Sequence, residues 1–498
     1  MSDKLNKARE YEEKKEKMIA PEMRPLFHLT PRCGWMNDPN GFSLYKGEYH
    51  LFYQYYPYET VWGPMHWGHA VSKDLITWEY YPAAIAPDME YDKNGCFSGS
   101  AIEMEDGRQL LVYTGVQKME DEDGNIREVQ TQCVAFGDGK DYEKYANNPV
   151  IDSTMLPEGA GKYDFRDPKV WRENGKYYIV VGNKTEDIDG QILQFVSDDG
   201  INWSYDKTVI KNNHRFGVMW ECPDYFNHDG KQVLLTSPQD MLPEELEFHN
   251  GNGTLCVIGS IDENGEFCEE NCQAVDYGID FYAPQTIKTP DGRRVMIGWM
   301  QNWDTCGIRR DDFPWFGQMS IPREITIKDN RLIQWPAREI ENYYGKRISR
   351  QNVLISDSAS LSSIEGRCVD MTVRVRSTQA ELSYKKFEIR FADNGKAYST
   401  IEYDPVDNIV KIDRKHSGSR RAIVHQRRCK VAGNKGEISF RLVLDRYSME
   451  LFINNGQQVM SMVILTDVRA EGISFKAAGE LLMDISRSEE RFSRNAET

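Results

Sequence analysis

The 498-residue sequence contains no uninterrupted apolar run of the ~18–20 residues that a membrane-spanning helix needs. Its first twenty residues are rich in Lys and Glu and lack the apolar segment of a secretory signal. The ten cysteines are scattered, and the one close pair, Cys268 and Cys272, has no further Cys or His nearby to complete a zinc site. These absences predict a cytoplasmic protein with reduced thiols.

Basic residues are too few for a polyanionic partner. Lys and Arg number 61 against 78 Asp and Glu, which gives a net charge of −17. This balance argues against binding to nucleic acid or to an anionic membrane, and we interpret the nine basic residues within 411–435 as a solvated sheet face. Neither a phosphate-binding G-x-x-x-x-G-K-[ST] loop nor a dinucleotide-binding glycine pattern is present, so no cofactor is predicted.

A repeated pattern fills the first two thirds of the chain. A turn glycine is followed by a β-branched or aromatic strand five times, and a similar strand precedes each turn by eight or nine residues. The five glycines are spaced by 60, 68, 55 and 62 residues and are Gly47, Gly107, Gly175, Gly230 and Gly292. Recurrence at this interval predicts a five-bladed β-propeller rather than a β-sandwich with coincidental turns.

The pattern stops near Pro336, where the composition changes. PAREIENYYGKR (336–347) has helical spacing, and the alternating strands that follow it favour an antiparallel β-sandwich. We therefore predict an all-β fold, a five-bladed β-propeller followed by a β-sandwich. Its expected segments are a charged N-terminal arm that is either a solvated helix or frayed (1–25), the propeller (26–335), a linker helix (336–349) and the sandwich (350–490).

Carboxylates recur on the strands that should line the propeller axis. Aligned by the following glycine, equivalent positions hold Asp38, Gly99, Asp167, Glu221 and Ala283. Three converging carboxylates fit a metal site, a structural role or acid–base and nucleophilic chemistry. No Asp-rich metal-binding loop is present, so no metal is predicted, and adjacent aromatic residues favour a sugar site, namely Trp35, Trp62, Phe97 and Trp220.

Four motifs in order give the chain a clear resemblance to glycoside hydrolase family 32, the β-fructofuranosidases. They are HLTPRCGWMNDPNG at 28–41, CFSGS at 96–100, FRDP at 165–168 and WECPD at 220–224. LVLDRYSMELFIN (442–454) resembles a pattern of the family's sandwich domain. The resemblance extends from about Leu26 to residue 487, and the family's propeller and sandwich agree with the repeat count.

The resemblance implies specific residue roles. Asp38 is the expected nucleophile, Glu221 the expected general acid and base, and Asp167 the expected stabiliser of the transition state. The implied fructosyl-binding residues are Asn37, Gln54, Trp62, Phe97, Ser98, Arg166 and, more weakly, Trp299. Structural interpretations also remain open: Asn37 could cap a turn, Gln54 could be satisfied by the backbone, Trp62 and Phe97 could be core residues, and Arg166 could pair with any acid.

The expected reaction is hydrolysis with retention of a terminal β-D-fructofuranosyl unit, through a covalent fructosyl-enzyme. The leaving group stays open, because sucrose, sucrose 6-phosphate, kestose and short inulin chains all remain candidate substrates. The balance between hydrolysis and transfer to another sugar also stays open. Segments 275–285 and 305–318 are expected to border the leaving-group side, and Arg309 and Arg310 could contact a phosphate.

Two alternatives from outside the family also remain. The first is an inverting arabinan- or xylan-active propeller, whose carboxyl groups would stand farther apart to admit a water molecule. The second is a propeller that binds carbohydrate without catalysis. The expected partner is a small-molecule sugar substrate, and the oligomeric state is not readable from the sequence.

Overall fold

The computed structural model describes residues 2–121, 123–307, 313–418 and 424–490, and these residues form an all-β fold with one α-helix. Their strands build seven sheets, five in a propeller and two in a sandwich. None of the helices in these ranges has the length and apolar content needed to cross a bilayer.

Five small sheets radiate from a common axis as propeller blades. The strands of blades one and two are β1 (Gly34–Tyr45), β2 (Glu48–Tyr56), β3 (His66–Ser72), β4 (Glu79–Ile85), β5 (Gly95–Glu103), β6 (Gln109–Glu120), β7 (Ile126–Gly137) and β8 (Tyr142–Lys144). Those of blades three and four are β9 (Ala160–Glu173), β10 (Lys176–Thr185), β11 (Gly190–Ser197), β12 (Trp203–Lys211), β13 (Met219–His228), β14 (Lys231–Gln239), β15 (Leu255–Ile261) and β16 (Phe267–Ala274). The remaining propeller strands are β17 (Tyr282–Lys288), β18 (Arg294–Trp299), β19 (Trp315–Phe316), β20 (Arg323–Lys328) and β21 (Arg331–Pro336).

The blades close into a ring through their innermost strands. β1, β5, β9, β13 and β17 each contact the next inner strand, and β17 returns to β1. Blade five consists of β17, β18, β20 and β21, while β19 leaves it to pair in parallel with β1 of blade one. This crossing joins the last blade to the first, so the propeller predicted from the glycine spacing is confirmed.

Two six-stranded antiparallel sheets pack face to face after the propeller. Their strands are β22 (Tyr344–Ile355), β23 (Ser358–Ala359), β24 (Val369–Ser377), β25 (Tyr384–Asp393), β26 (Ser399–Asp404), β27 (Ile409–Asp413), β28 (Gln426–Lys430), β29 (Ile438–Asp445), β30 (Ser448–Ile453), β31 (Gln458–Val463), β32 (Gly472–Gly479) and β33 (Leu481–Glu490). One sheet has the order β22-β33-β24-β29-β30-β31 and the other β23-β32-β25-β26-β27-β28. Alternating apolar residues of both sheets fill one core, as the period-two pattern predicted.

The predicted linker helix over 336–349 is wrong. The chain forms only a 3-10 helix at Arg338–Tyr343 and then enters β22 at Tyr344. β22 pairs antiparallel with β33, near the end of the chain, so hydrogen bonds to a distant strand replace those of a local helix. Other 3-10 helices are Pro21–Met23, Glu90–Asp92 and Ser153–Met155.

The N-terminal arm is a helix, α1 (Asp3–Glu16), and it is docked on the propeller rather than solvated or frayed. Ser2 caps it by accepting a hydrogen bond from the backbone N–H of Leu5. Three residues on one face are buried, Leu5, Ala8 and Glu12. The Glu12 carboxylate accepts the backbone N–H of Ala83 at 2.8 Å. This contact attaches the helix to β4 of blade one.

Candidate active site

Each of the five inner strands has a bulge that adds one residue relative to its hairpin partner, at the same end of the propeller, and β1 and β9 each have a second register shift elsewhere in the strand. The bulges lie between Met36 and Pro39, Phe97 and Gly99, Arg166 and Lys169, Glu221 and Asp224, and Tyr282 and Gln285. A bulge bends a strand and redirects its side chains. Asp167, Cys222 and Ala283 accordingly have left-handed φ values of +67°, +50° and +52°.

The register corrects the alignment by hairpin glycines in two blades. Ser98 rather than Gly99 lies in the bulge of blade two, and Glu221 immediately precedes the bulge of blade four. The cause is that the distance from the last residue paired before the bulge to the hairpin glycine varies between nine and eleven residues, and alignment by the glycines does not account for this variation. The three predicted carboxylates nevertheless lie at or beside a bulge in blades one, three and four.

The Asp38 carboxylate is buried, and its two oxygens differ in their contacts. Oδ2 accepts a hydrogen bond from the Ser98 hydroxyl at 2.7 Å and a longer one from the Cys222 thiol at 3.5 Å. Oδ1 is also buried and has no hydrogen-bond partner in the described residues. One oxygen is therefore held in place while the other is free to contact a ligand.

Cys222 links the three acidic residues. Its backbone N–H donates to Oδ2 of Asp167 at 3.0 Å, and its thiol contacts Asp38. Glu221 precedes it directly, so a single bulge connects all three carboxylates. The backbone N–H of Asp167 in turn donates to the Thr114 hydroxyl at 3.0 Å.

Arg166 supplies a positive charge to this acidic cluster. Its Nε and Nη2 both lie 2.9 Å from Oε1 of Glu221. Its Nη1 donates to Asp164 at 3.0 Å and to Gln130 at 3.3 Å, which fixes the plane of the guanidinium. The sequence allowed two interpretations of Arg166, an ion-pair partner and a residue of the site. The two are compatible, because its ion-pair partner Glu221 is one of the three clustered acids.

Burial and like charges shift the pKa of two of the acids. Burial, followed by the charge of Glu221, raises the pKa of Asp38 to about 6. The same two causes raise the pKa of Asp167, and Arg166 opposes them. Carboxyl groups with raised pKa values, clustered among aromatic rings, are typical of an active site that moves protons.

The other residues predicted to bind a sugar occupy different depths. Trp62 is 46% exposed and stands edge-on to the half-buried Phe97, with ring centroids 6.0 Å apart. Asn37 is buried and accepts the indole N–H of Trp35 at 2.8 Å. Gln54 is buried and donates to the backbone carbonyl of Cys96 at 2.9 Å.

Trp299 lies within an aromatic cluster rather than on an open wall. It is fully buried, with ring centroids 6.2 Å from Trp35 and 5.1 Å from Trp303. Trp35 also stacks on Phe316 at 4.6 Å. This placement fits a role for Trp299 in supporting the neighbouring rings rather than in direct ligand contact.

Sequence reasoning did not assign roles to Tyr282, Trp303 or Phe316 individually. The hydroxyl of Tyr282 donates to Oε2 of Glu221 at 2.7 Å, although the residue lies 61 positions away. Tyr282 and Phe316 do fall in the two segments expected near the leaving group. A sequence signal for Tyr282 is its place directly before Ala283, which the alignment by hairpin glycines puts level with the three carboxylates. Arg309 and Arg310 lie outside the described residues.

Comparison with known proteins decides the family. The model of the glycosyl hydrolases family 32 N-terminal domain matches residues 28–336, and that of the family 32 C-terminal domain matches residues 339–491. The chain belongs to glycoside hydrolase family 32. It is therefore a glycosidase of the β-fructofuranosidase type.

Individual family 32 relatives resemble the chain over most of its length. A sucrose-6-phosphate hydrolase of Zymomonas mobilis is 35% identical over 458 residues, which are 89% of this chain and 86% of the relative. A raffinose invertase of Escherichia coli is 33% identical and covers 91% of this chain and 92% of its own. A solved structure of a Bombyx mori family 32 β-fructofuranosidase variant in complex with sucrose has a TM-score of 0.82 at 32% identity, covering 97% and 98% of the two chains.

Proposed function

We propose that this family 32 enzyme hydrolyses the terminal β-D-fructofuranosyl unit of small fructosides through a covalent fructosyl-enzyme, with retention of configuration. The observation that carries the proposal is the buried Asp38 carboxylate, which has one oxygen held and one free. It faces a second carboxyl group, Glu221, close enough for their charges to interact. A retaining mechanism needs one nucleophile and one acid in such a pair.

Asp38 attacks the anomeric carbon, C2 of the fructosyl unit. Oδ1 is the attacking oxygen because Oδ2 is occupied by the Ser98 hydroxyl. The negative charge of the carboxylate is neutralised as the ester bond forms. Burial, which raises the pKa of Asp38, also leaves its ionised form poorly solvated and therefore reactive.

Glu221 supplies and then removes the proton. In the first step it protonates the oxygen that bridges to the leaving group, and in the second it takes a proton from the water that hydrolyses the ester. Arg166 holds Oε1 and Tyr282 holds Oε2, so the carboxyl group cannot rotate away from the substrate. These contacts support the assignment of Glu221 as acid and base.

Asp167 binds hydroxyl groups of the fructosyl ring as positive charge develops at C2. Oδ2 of Asp167 accepts the hydrogen bond of the Cys222 amide, and the Asp167 carboxylate is buried in the same cluster as Asp38. Asn37, Ser98 and Arg166 complete the polar lining of this subsite, with Gln54 behind it. Trp62 and Phe97 form its aromatic edge.

The substrate is a small fructoside, and we propose sucrose or sucrose 6-phosphate, so that the leaving group is glucose or its 6-phosphate. The names of the curated relatives and the sucrose complex of the Bombyx mori enzyme support this choice. The test compares kcat/KM for sucrose, sucrose 6-phosphate, 1-kestose and inulin. We expect one of the first two to exceed the others. A higher value for 1-kestose or inulin would contradict the proposed substrate, and cleavage of arabinan or xylan in preference to all four, assayed alongside them, would contradict the proposed reaction.

We further propose that the enzyme acts in the cytoplasm. Eight of the cysteines are free thiols, and six of these eight are buried. Free thiols are retained in a reducing compartment, whereas secreted proteins tend to pair them. Localisation of a tagged full-length chain by cell fractionation tests this, and recovery outside the cytoplasm would contradict it.

A further inference from the structure

Three neighbouring blades place a functional side chain at the same repeat position. Arg166, Glu221 and Tyr282 are each the last paired residue before the bulge of blades three, four and five. Because adjacent inner strands contact each other around the axis, these side chains meet, with Glu221 in the middle.

The two oxygens of Glu221 therefore have different partners. Oε1 accepts from Nε and Nη2 of Arg166, each at 2.9 Å. A guanidinium only donates hydrogen bonds, so Oε1 is fixed as an acceptor. When Glu221 is protonated, the proton consequently resides on Oε2, which lies 2.7 Å from the Tyr282 hydroxyl.

The Tyr282 hydroxyl has a second neighbour, the backbone carbonyl oxygen of Ser237 at 2.9 Å. A hydroxyl has one proton to donate, and a carbonyl can only accept. If Oε2 of Glu221 carries a proton, it donates to Tyr282 while Tyr282 donates to Ser237. If Glu221 is ionised, the Tyr282 proton turns to Oε2 instead.

We propose that Tyr282 is a positioning residue whose hydrogen bond to Glu221 reverses direction during the reaction. As the proton leaves Oε2 for the bridging oxygen, the bond from that oxygen to C2 breaks and the bond from Asp38 to C2 forms. The Tyr282 hydroxyl then donates to the new carboxylate and stabilises it. Tyr282 keeps its own proton throughout. This inference rests on the proposed role of Glu221 as the acid.

The surroundings keep the Tyr282 hydroxyl protonated. Its ring is fully buried, and burial followed by the charge of Glu221 raises the pKa of Tyr282 well above its usual range. The other titratable groups that face the pair are Asp38, Asp167, Cys222 and Arg166. Since Tyr282 does not ionise, its hydroxyl keeps a proton that it can donate to the ionised form of Glu221 across the working pH range.

The test is the Tyr282→Phe variant, assayed with two fructosyl donors. With sucrose, whose leaving group needs a proton, kcat/KM should fall about ten- to a hundredfold, the effect of one hydrogen bond to a charged group. With p-nitrophenyl β-D-fructofuranoside, whose leaving group needs no proton, kcat/KM should fall less than threefold. The alkaline limb of the sucrose pH profile should move to higher pH, because the ionised acid has lost a donor.

Two further variants make the result decisive. Tyr113→Phe removes a buried hydroxyl that donates to the Asp92 carboxylate at 2.9 Å, in blade two. In Tyr113→Phe, the ratio of kcat/KM for the two donors and the alkaline limb of the pH profile should both be unchanged. Glu221→Gln should lose activity on sucrose and retain most of it in the first step with the activated donor.

The outcomes separate the two claims. An equal loss on both donors in Tyr282→Phe, with Glu221→Gln rescued, would overturn the role of Tyr282 alone. Absence of rescue in Glu221→Gln would overturn the role of Glu221 and this inference with it. If Tyr282→Phe does not fold, 3-fluorotyrosine at position 282 serves instead: as a stronger donor it should move the alkaline limb to lower pH, and an unmoved limb would overturn the proposal.

Discussion

The Ser98 hydroxyl donates to Oδ2 of Asp38 at 2.7 Å, and this contact makes the two oxygens of the buried carboxylate unequal. Ser98 lies in the bulge of blade two and Asp38 in that of blade one. Neighbouring repeats thus supply the proposed nucleophile and the group that orients it. The hydrogen bond also favours the ionised form of Asp38 and holds its pKa below the value that burial alone would give.

Removing this hydroxyl should shift the acidic limb of the pH profile. As the proposed nucleophile, Asp38 must be ionised to attack, so kcat/KM should fall as pH falls through its pKa of about 6. In Ser98→Ala that pKa rises, and the acidic limb should move to higher pH by about one unit. The measurement is kcat/KM for sucrose against pH in both proteins.

Ser197→Ala is the matched control for this shift. Ser197 is another buried serine whose hydroxyl contacts an aspartate, Asp199, at 3.0 Å, but it lies at a blade-three turn. The acidic limb of the pH profile of Ser197→Ala should match that of the unmodified enzyme. An unmoved or lowered limb in Ser98→Ala would mean that the serine does not stabilise the charged nucleophile.

The propeller and sandwich are joined by a buried ionic network centred on His28. Nδ1 of His28 lies 2.8 Å from Asp445, and Nε2 lies 3.0 Å from Glu450. Glu450 also accepts from Arg323 of blade five at 2.5 Å. Burial alone would lower the pKa of His28, but its bonds to the two carboxylates raise it to about 9.

This network predicts how stability depends on pH. The folded-state pKa of His28 is above its ordinary 6.5, so its contribution is fully present below pH 6.5 and is lost as pH rises through about 9. The pKa of Asp445 is shifted in the opposite direction, so its contribution to stability depends on pH in the opposite way. Burial opposes its ionisation, but His28 lowers its pKa from 3.8 to about 2, so its contribution is lost as pH falls toward 2.

His28→Gln should reduce the free energy of unfolding by about 3–5 kcal/mol at pH 6, because two carboxylates lose a buried cation. The loss should shrink between pH 6.5 and 9. Thermal unfolding across this range measures it, with His214→Gln as control, since that histidine side chain is 65% exposed. A loss that is constant from pH 6 to pH 9 would show that His28 is neutral in the folded protein.

Local pattern was enough to predict the propeller and its three carboxylates. Turn glycines recur because each hairpin needs a left-handed residue, and Gly47 and Gly175 have φ of +83° and +82°. The acids were predicted because Asp38, Asp167 and Glu221 each stand at nearly the same distance before a hairpin glycine. The repeated pattern was therefore sufficient to predict both the propeller and the positions of the three carboxylates.

Contacts between distant residues could not be predicted in this way. His28 and Asp445 are separated by 417 residues, and no local pattern pairs them. The same limit explains the missed strand β22, which is formed through its pairing with β33. Tyr282 was missed for a different reason, since the bulge that aligns it with Arg166 and Glu221 is a property of the hydrogen-bond register.

The covalent bond between Asp38 and C2 of fructose is the step on which the proposed mechanism depends. Glu221→Gln, mixed with p-nitrophenyl β-D-fructofuranoside, should form this ester and hydrolyse it slowly, because the base is missing. Acid quenching, proteolysis and mass spectrometry should find one fructosyl residue on the peptide that contains Asp38, and none when Asp38→Asn is added. A quenched enzyme that turns over the donor without any label, or carries the label on another residue, would contradict the assignment of Asp38 as nucleophile.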